Sequence, residues 1–250
     1  ALGLIQKHAR HVDLFTAGTE DYAEGMSDYL EIDRSRISVV RTGFDVQPYR
    51  EIAAVREESP EPQSPPAIGY LSVITPIKGL DLLVKAWIEL AETHDNLRLH
   101  VAGRVLDDEY YTAIDQMVAR AGLRDRFKHF GEVDMDGKLQ FLAGSSLFCL
   151  PTRATERRGL AALEAIASGA PVVVPDAGVF PQMIEITDGG CLFEPDNADA
   201  LAEKIAHLLS DRKRTHSRGL SASAKAAECY CTEQAADDMM AAISQVTRQQ

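Results

Sequence analysis

The chain has 250 residues, 45% hydrophobic and 26% charged, which places it among ordinary globular proteins and outside the disordered, collagenous and disulfide-scaffold classes. Its 26 basic and 38 acidic residues leave a formal charge of −12, which argues against a broad electrostatic grip on nucleic acid or anionic lipid but leaves room for a local basic pocket. The four cysteines are too few and too scattered for a stapled secreted module, and no apolar run approaches the roughly 18 residues of a membrane helix.

In chain order, a helical pattern starts at once, and Lys7, His8 and Arg10 stand where a signal peptide would need its cleavage site, so no signal peptide is expected. Opening on Ala1 instead of Met, the chain reads as an excerpt from a longer polypeptide. Val12 to Ala17 reads as a short strand, Thr19-Glu20 opens a helix through Tyr22, Met26 and Leu30, and Ile37 to Val40 forms a second strand. Thr42 to Asp45 has turn chemistry. Glu57 to Pro66, with Pro60, Pro62, Pro65 and Pro66, reads as an extended connector near a domain boundary.

Apolar strands then follow near Ile68 to Leu71, Leu97 to Ala102, Phe127 to Phe130, Leu147 to Leu150, Pro171 to Val174 and Gly190 to Phe193. Helical patterns over Leu80 to Glu92, Glu109 to Ala121, Met135 to Ala143, Leu160 to Ser168 and Ala198 to Leu209 alternate with them, which predicts a doubly wound parallel α/β sheet. Two last helices, near Arg214 to Glu228 and Thr232 to Val246, have no strand between them, and the second is amphipathic through Met239, Ile243 and Val246.

Open parallel sheets bind ligands beyond the carboxyl ends of their strands, which directs attention to the loops after Leu71, Ala102, Phe130, Leu150 and Val174. In the first, Thr75 can cap a helix whose first position is Pro76, putting Lys78 at the third. A cation there opposes the helix dipole by roughly 0.3 to 1 kcal/mol unless an anion joins amides and ammonium; the alternative is a solvated lysine. Neither Gly-x-Gly-x-x-Gly nor a P-loop follows the first strand, so dinucleotide redox and P-loop phosphoryl transfer lose their main support.

The loop from Leu150 to Leu160 carries Glu156 ahead of a helix that holds Glu164 among Leu160, Leu163, Ile166 and Ala167. A carboxylate beside a buried face needs donors, and the vicinal hydroxyls of a ribose supply two. The alternative on spacing alone is a helix-start acid at Glu156 and a solvated Glu164. Gly159 lets backbone amides approach a ligand, with Arg157 and Arg158 beside it, and Pro175 to Pro181, containing Gly178, joins another strand to a helix start. The histidines and cysteines show no metal-site spacing, and no Gly-x-Ser-x-Gly elbow is present.

Together these segments resemble the retaining nucleotide-sugar glycosyltransferases of the GT-B fold, glycosyltransferase family 4. Glu156 to Val173 is similar to the family's E-x7-E region and following strand, with Glu156 and Glu164 matching its paired glutamates. Arg41 to Asp45, Pro76 to Asp81, Val101 to Gly103, Phe130 to Val133 and Gly189 to Pro195 add supporting matches.

The resemblance implies the carboxyl-terminal, donor-binding half of a GT-B fold: a Rossmann-like doubly wound parallel sheet with an N-terminal extension from the acceptor domain. Residues 1–45 would end that acceptor-type domain, 46–66 form the connector, 67–212 the nucleotide-sugar-binding domain and 213–250 the terminal helices that pack back toward the N-terminal domain. By position, Glu156 would hold the transferred sugar, Lys78 the diphosphate, Glu164 the ribose, and Phe130 to Val133, with Gly131 and Val133, the base. Amides near Gly159, Leu160 and Gly178 would add contacts. The donor would be a UDP- or GDP-linked sugar and the acceptor a glycan, lipid or small molecule, with no metal or other cofactor required. The intact protein would serve polysaccharide biosynthesis in the cytoplasm or peripherally at the inner membrane, with no nucleic-acid partner.

One departure is Val73, where family members usually carry an arginine five positions before the lysine. Arg158, Arg157 and Arg104 are the candidates to replace it. The alternative is a catalytically silent nucleotide-sugar-binding or scaffolding domain; a third reading keeps the architecture for a sugar phosphorylase or nucleotide-sugar epimerase.

Overall fold

The computed structural model describes residues 2–59 and 62–247; Ala1, Pro60 and Glu61 of the expected connector and the last three residues of the expected terminal helices lie outside the described residues. Two compact units divide the chain, one made of Ala1–Asp45 with Glu228–Gln250 and the other of Val46–Ala227.

The first unit opens with α1 (Leu2–Ala9), β1 (Phe15–Ala17), α2 (Glu20–Leu30) and β2 (Ile37–Val39), the strands pairing in parallel with Phe15 opposite Ile37. The Thr19 hydroxyl accepts the Tyr22 N–H at 3.1 Å, capping α2 as its Thr-Glu start predicts. Ala17, Ala23 and Ile37 form its buried centre, with Phe15, Met26, Ile32 and Val39 packed on them.

The second unit begins with a helix where the connector is expected, α3 (Gln47–Glu57), with Pro48 in its first turn and Tyr49 and Ala53 buried one turn apart. The Pro-rich composition after Glu57 masks this short amphipathic pattern, and Val46 offers no side-chain cap to announce it. There follow β3 (Ala67–Leu71), α4 (Leu80–Ala91), β4 (Arg98–Ala102), α5 (Asp108–Arg120), β5 (Phe127–His129), α6 (Met135–Ala143), β6 (Leu147–Cys149), α7 (Leu160–Ala167), β7 (Val172–Pro175), α8 (Phe180–Thr187), β8 (Gly190–Phe193), α9 (Ala198–Ser210) and α10 (Arg212–Cys229). The strands form one parallel sheet in the order β5-β4-β3-β6-β7-β8.

Ile68, Tyr70, Leu99, Val101, Phe148 and Val172 to Val174 are buried on these strands, as a sheet covered on both faces requires. Trp87 of α4 is fully buried and donates its indole N–H to the Leu97 carbonyl at 3.2 Å. Each large apolar side chain so placed contributes roughly 1.5 to 3 kcal/mol through removal from water. The direction of winding reverses between β3 and β6, so the loops leaving these strands part and open a crevice.

The closing helix, α11 (Thr232–Thr247), belongs to the first unit. Met239 and Ile243, on the apolar stripe of its amphipathic pattern, are exposed, and among its described residues Ala242 is buried. At the other end of α11 the approach is close: a Cβ on Gly43 would stand 2.5 Å from that of Ala235, so glycine leaves room for the helix there.

Candidate functional site

The crevice beyond β3 and β6 holds a cleft of about 440 Å³. Lys78, Val133, Glu156, Arg158, Gly159, Leu160 and Glu164, seven of the residues singled out from sequence, line it together. Lys138, to which the sequence reading assigns no role, also reaches it.

Lys78 occupies a three-residue 3-10 turn, Pro76–Lys78, and α4 proper begins only at Leu80. The expectation of a helix starting at Pro76 and capped by Thr75 is therefore corrected: the Thr75 hydroxyl makes no cap bond, and its oxygen is buried without a hydrogen-bond partner among the described residues. Gly79 separates turn from helix because the chain needs φ +73° there, and a Cβ would stand 1.9 Å from the Pro151 carbonyl oxygen. Across the cleft the Lys78 ammonium pairs with the Glu156 carboxylate, each side chain about 21% exposed.

Glu164 is only 5% exposed, which removes the reading of a solvated side chain. Its Oε1 accepts the Tyr49 hydroxyl at 2.6 Å and the Lys138 ammonium at 2.7 Å, and that ammonium lies 5.8 Å from the Tyr49 ring centroid. Three helices thus meet at one carboxylate oxygen: α3 brings Tyr49, α6 Lys138 and α7 Glu164. Buried carboxylates persist when paired and hydrogen-bonded in this way.

The first turn of α7 forms one wall of the cleft. Gly159 stands at its cap with φ +61°, and a Cβ there would lie 2.6 Å from the Met183 methyl carbon, so glycine answers both backbone and packing. The helix-start amides and dipole add positive potential to Lys78, Lys138 and Arg158. Gly131 and Gly178 are not among the cleft-lining residues. The Gly131 carbonyl accepts the Gly103 N–H at 2.8 Å, and Gly178 lies behind the Glu156 loop, where a Cβ would come within 2.4 Å of the Glu156 carbonyl oxygen. Of the three arginines weighed against Val73, Arg158 lines the cleft and Arg157 and Arg104 do not.

A second charged group braces the loops behind the cleft. Arg153 donates to Asp81 through two nitrogens at 2.8 and 2.9 Å, to Asp196 at 2.6 Å and to the Pro76 carbonyl at 2.7 Å. The Tyr110 hydroxyl donates to Asp81 at 2.7 Å and accepts the Asp81 N–H at 2.8 Å. Burial alone would raise the Asp81 carboxyl, but hydrogen bonds from Arg153 and Tyr110, with the Arg153 and Lys85 charges, outweigh it and bring it down to about 2. The same contacts with Asp81 push the Arg153 guanidinium upward despite its burial.

Lys138, Tyr49 and the Asp81–Arg153 pair escape sequence reasoning because each acts through a partner 26 to 115 positions away. The signal for Tyr49 is the spacing of Tyr49 and Ala53 behind Pro48; Lys138 carries none beyond being a lone cation on an apolar helix. Among the described residues no three His, Cys, Asp or Glu side chains gather as a metal ion would need, and no helix is long and apolar enough to cross a membrane.

A family model described as glycosyl transferases group 1 matches residues 51–225. A D-inositol 3-phosphate glycosyltransferase of Nocardia farcinica is 29% identical over 221 residues, covering 86% of this chain and 49% of its own. A lipopolysaccharide core biosynthesis mannosyltransferase of Rhizobium leguminosarum bv. viciae is 35% identical over 147 residues, 58% of this chain and 41% of its own. Among solved structures, Anabaena Alr3699/HepE in complex with UDP aligns with a TM-score of 0.82 at 22% identity, over 96% of this chain and 66% of that one. That likeness shows the fold, a Rossmann-like domain of the GT-B type. The chain spans about half the length of the curated relatives it matches.

Proposed function

Because the chain belongs to the glycosyl transferases group 1 family, we propose that its cleft binds the nucleoside-diphosphate sugar of a retaining glycosyl transfer. The observation that carries this reading is the convergence of Lys78, Arg158 and the start of α7 with two carboxylates, Glu156 and Glu164, in one cleft at the switch point of the sheet. Anionic phosphates fit the cations and helix amides, and sugar hydroxyls fit the carboxylates. UDP is the first choice of nucleotide, since a structurally similar protein carries it, and GDP the second.

On this reading Glu164 meets the ribose through Oε2, its Oε1 being engaged by Tyr49 and Lys138. Val133 and its loop border the base. A donor splits the Lys78–Glu156 pair, giving the ammonium to the diphosphate and the carboxylate to the transferred sugar. The bond between sugar C1 and the phosphate oxygen breaks while an acceptor hydroxyl oxygen bonds to C1 on the same face. The hydroxyl proton leaves with the nucleoside diphosphate, whose growing charge Lys78 and the α7 dipole stabilise. Arg158 takes the place that Val73 leaves without a cation. The acceptor is a glycan, lipid or small-molecule hydroxyl.

Calorimetric titration of the chain with UDP, GDP and ADP tests the reading. One nucleotide binds with clear preference, and Glu164→Ala weakens it by about a hundredfold through loss of charge-assisted contacts, about 2.7 kcal/mol. Absence of binding by all three, or unchanged affinity in the variant, would rule the assignment out.

A further inference from the structure

The turn that carries Lys78 has little of its own to hold it in place. It is three residues long, Pro76 and Ile77 are exposed, and the Thr75 side chain supplies no cap. A lysine on such a turn would sample many positions, and a diphosphate would have to order it on binding at an entropic cost. Apart from its own backbone bonds and a long contact of 3.4 Å from the Tyr70 hydroxyl to the Lys78 carbonyl, the turn is held by the loop that leads to Glu156. The Arg153 amide donates to the Ile77 carbonyl at 2.8 Å, the Thr152 hydroxyl to the same carbonyl at 3.3 Å, and the Arg153 guanidinium to the Pro76 carbonyl at 2.7 Å.

We propose that Arg153 is the positioning residue for Lys78, its guanidinium fork locking the Pro76–Lys78 turn to the first turn of α4 and to the loop that carries Glu156. The inference rests on the donor-binding reading above. One edge of the fork is seated on both Asp81 oxygens, and Asp81 is itself fixed by Tyr110 from α5, so the guanidinium is anchored on two helices before it reaches the Pro76 carbonyl. A lysine at position 153 would keep the charge but could not span Asp81 bidentately and still reach the carbonyl and Asp196. The close packing of Gly79 on Pro151 leaves the two loops no slack to re-form the contact by another route. Arg153 therefore acts on the ligand through Lys78.

A double-mutant cycle on nucleotide affinity tests this, with UDP, GDP and ADP titrated into the wild-type chain, Arg153→Met, Arg153→Lys, Lys78→Met and the Arg153→Met/Lys78→Met double variant. Thermal melting checks that each folds. Arg153→Met weakens the preferred nucleotide about tenfold through misplacement of Lys78, Arg153→Lys falls between it and wild type, and the double variant binds no more weakly than Lys78→Met alone. A merely structural role would multiply the two losses. Wild-type affinity in Arg153→Met, or multiplicative losses in the double variant, overturns the proposal while leaving the donor reading intact. If Arg153→Met does not fold, the same cycle is run with Arg153→Lys and judged by the same criterion. Failure of the wild-type chain to bind any of the three nucleotides defeats the donor reading and this proposal with it.

Discussion

Glu164 sits inside α7 with Tyr49 from α3 and Lys138 from α6 on one of its oxygens, whereas Glu156 lies on a loop and faces Lys78, itself on a three-residue turn. The first carboxylate is nearly sequestered from water; the second and its lysine are each about a fifth exposed. A buried, doubly bonded carboxylate cannot reorient without leaving two donors unsatisfied, at about 1 to 3 kcal/mol each. An ion pair that keeps contact with water is worth about 1 kcal/mol, and each member can be handed to a ligand group of opposite charge. The cleft thus has a rigid end suited to recognising a constant group and an exchangeable end suited to groups whose charge changes during reaction.

That contrast predicts opposite balances between activity and stability. If the cleft takes a nucleotide-sugar donor as proposed, Lys78→Ala at the exchangeable end lowers its turnover in the full-length protein by about 10²- to 10³-fold, the usual loss for one preorganised charge stabiliser, while chemical denaturation of the chain shows a change below about 1 kcal/mol. At the rigid end, Tyr49→Phe removes one bond to a buried carboxylate and costs about 1.5 kcal/mol in the same denaturation experiment. Its turnover stays close to wild type because Lys138 still holds Glu164. If Tyr49→Phe lost activity without losing stability, the division between the two ends would be erased.

The smallest effect belongs to the brace behind the exchangeable end. Asp81 falls from 3.8 to about 2 on folding, so the unfolded chain binds more protons between these values. Its contribution is fully present above pH 3.8 and is lost as pH falls toward 2. With solvent screening this amounts to about 1 kcal/mol, measurable as an acid-side loss of stability that Asp81→Asn flattens. An unchanged acid slope in that variant would mean that Arg153 and Tyr110 do not hold the carboxylate ionised.

Much of this cleft is legible in the chain. The strand-helix alternation yields the parallel sheet, and the sheet locates ligand chemistry at particular loops. The spacing of Glu156, Gly159 and Glu164 places two carboxylates around one helix start. What is not legible depends on contacts made across the fold. Alone, Glu164 is as consistent with a solvated helix face as with burial; its environment is decided when α3 and α6 close over α7. Tyr49 stays hidden because the prolines after Glu57 dominate its neighbourhood, and Asp81 and Arg153, 72 positions apart, carry no mutual signal.

Periodicities, turn residues and local spacing are written in the chain, since these depend on neighbours within a few positions and on covalent geometry. Which charges meet is settled by the folded packing. Pairings such as Lys78 with Glu156, Lys138 with Glu164 and Arg153 with Asp81 depend on distances set by packing the sheet and its helices, and no local pattern encodes them.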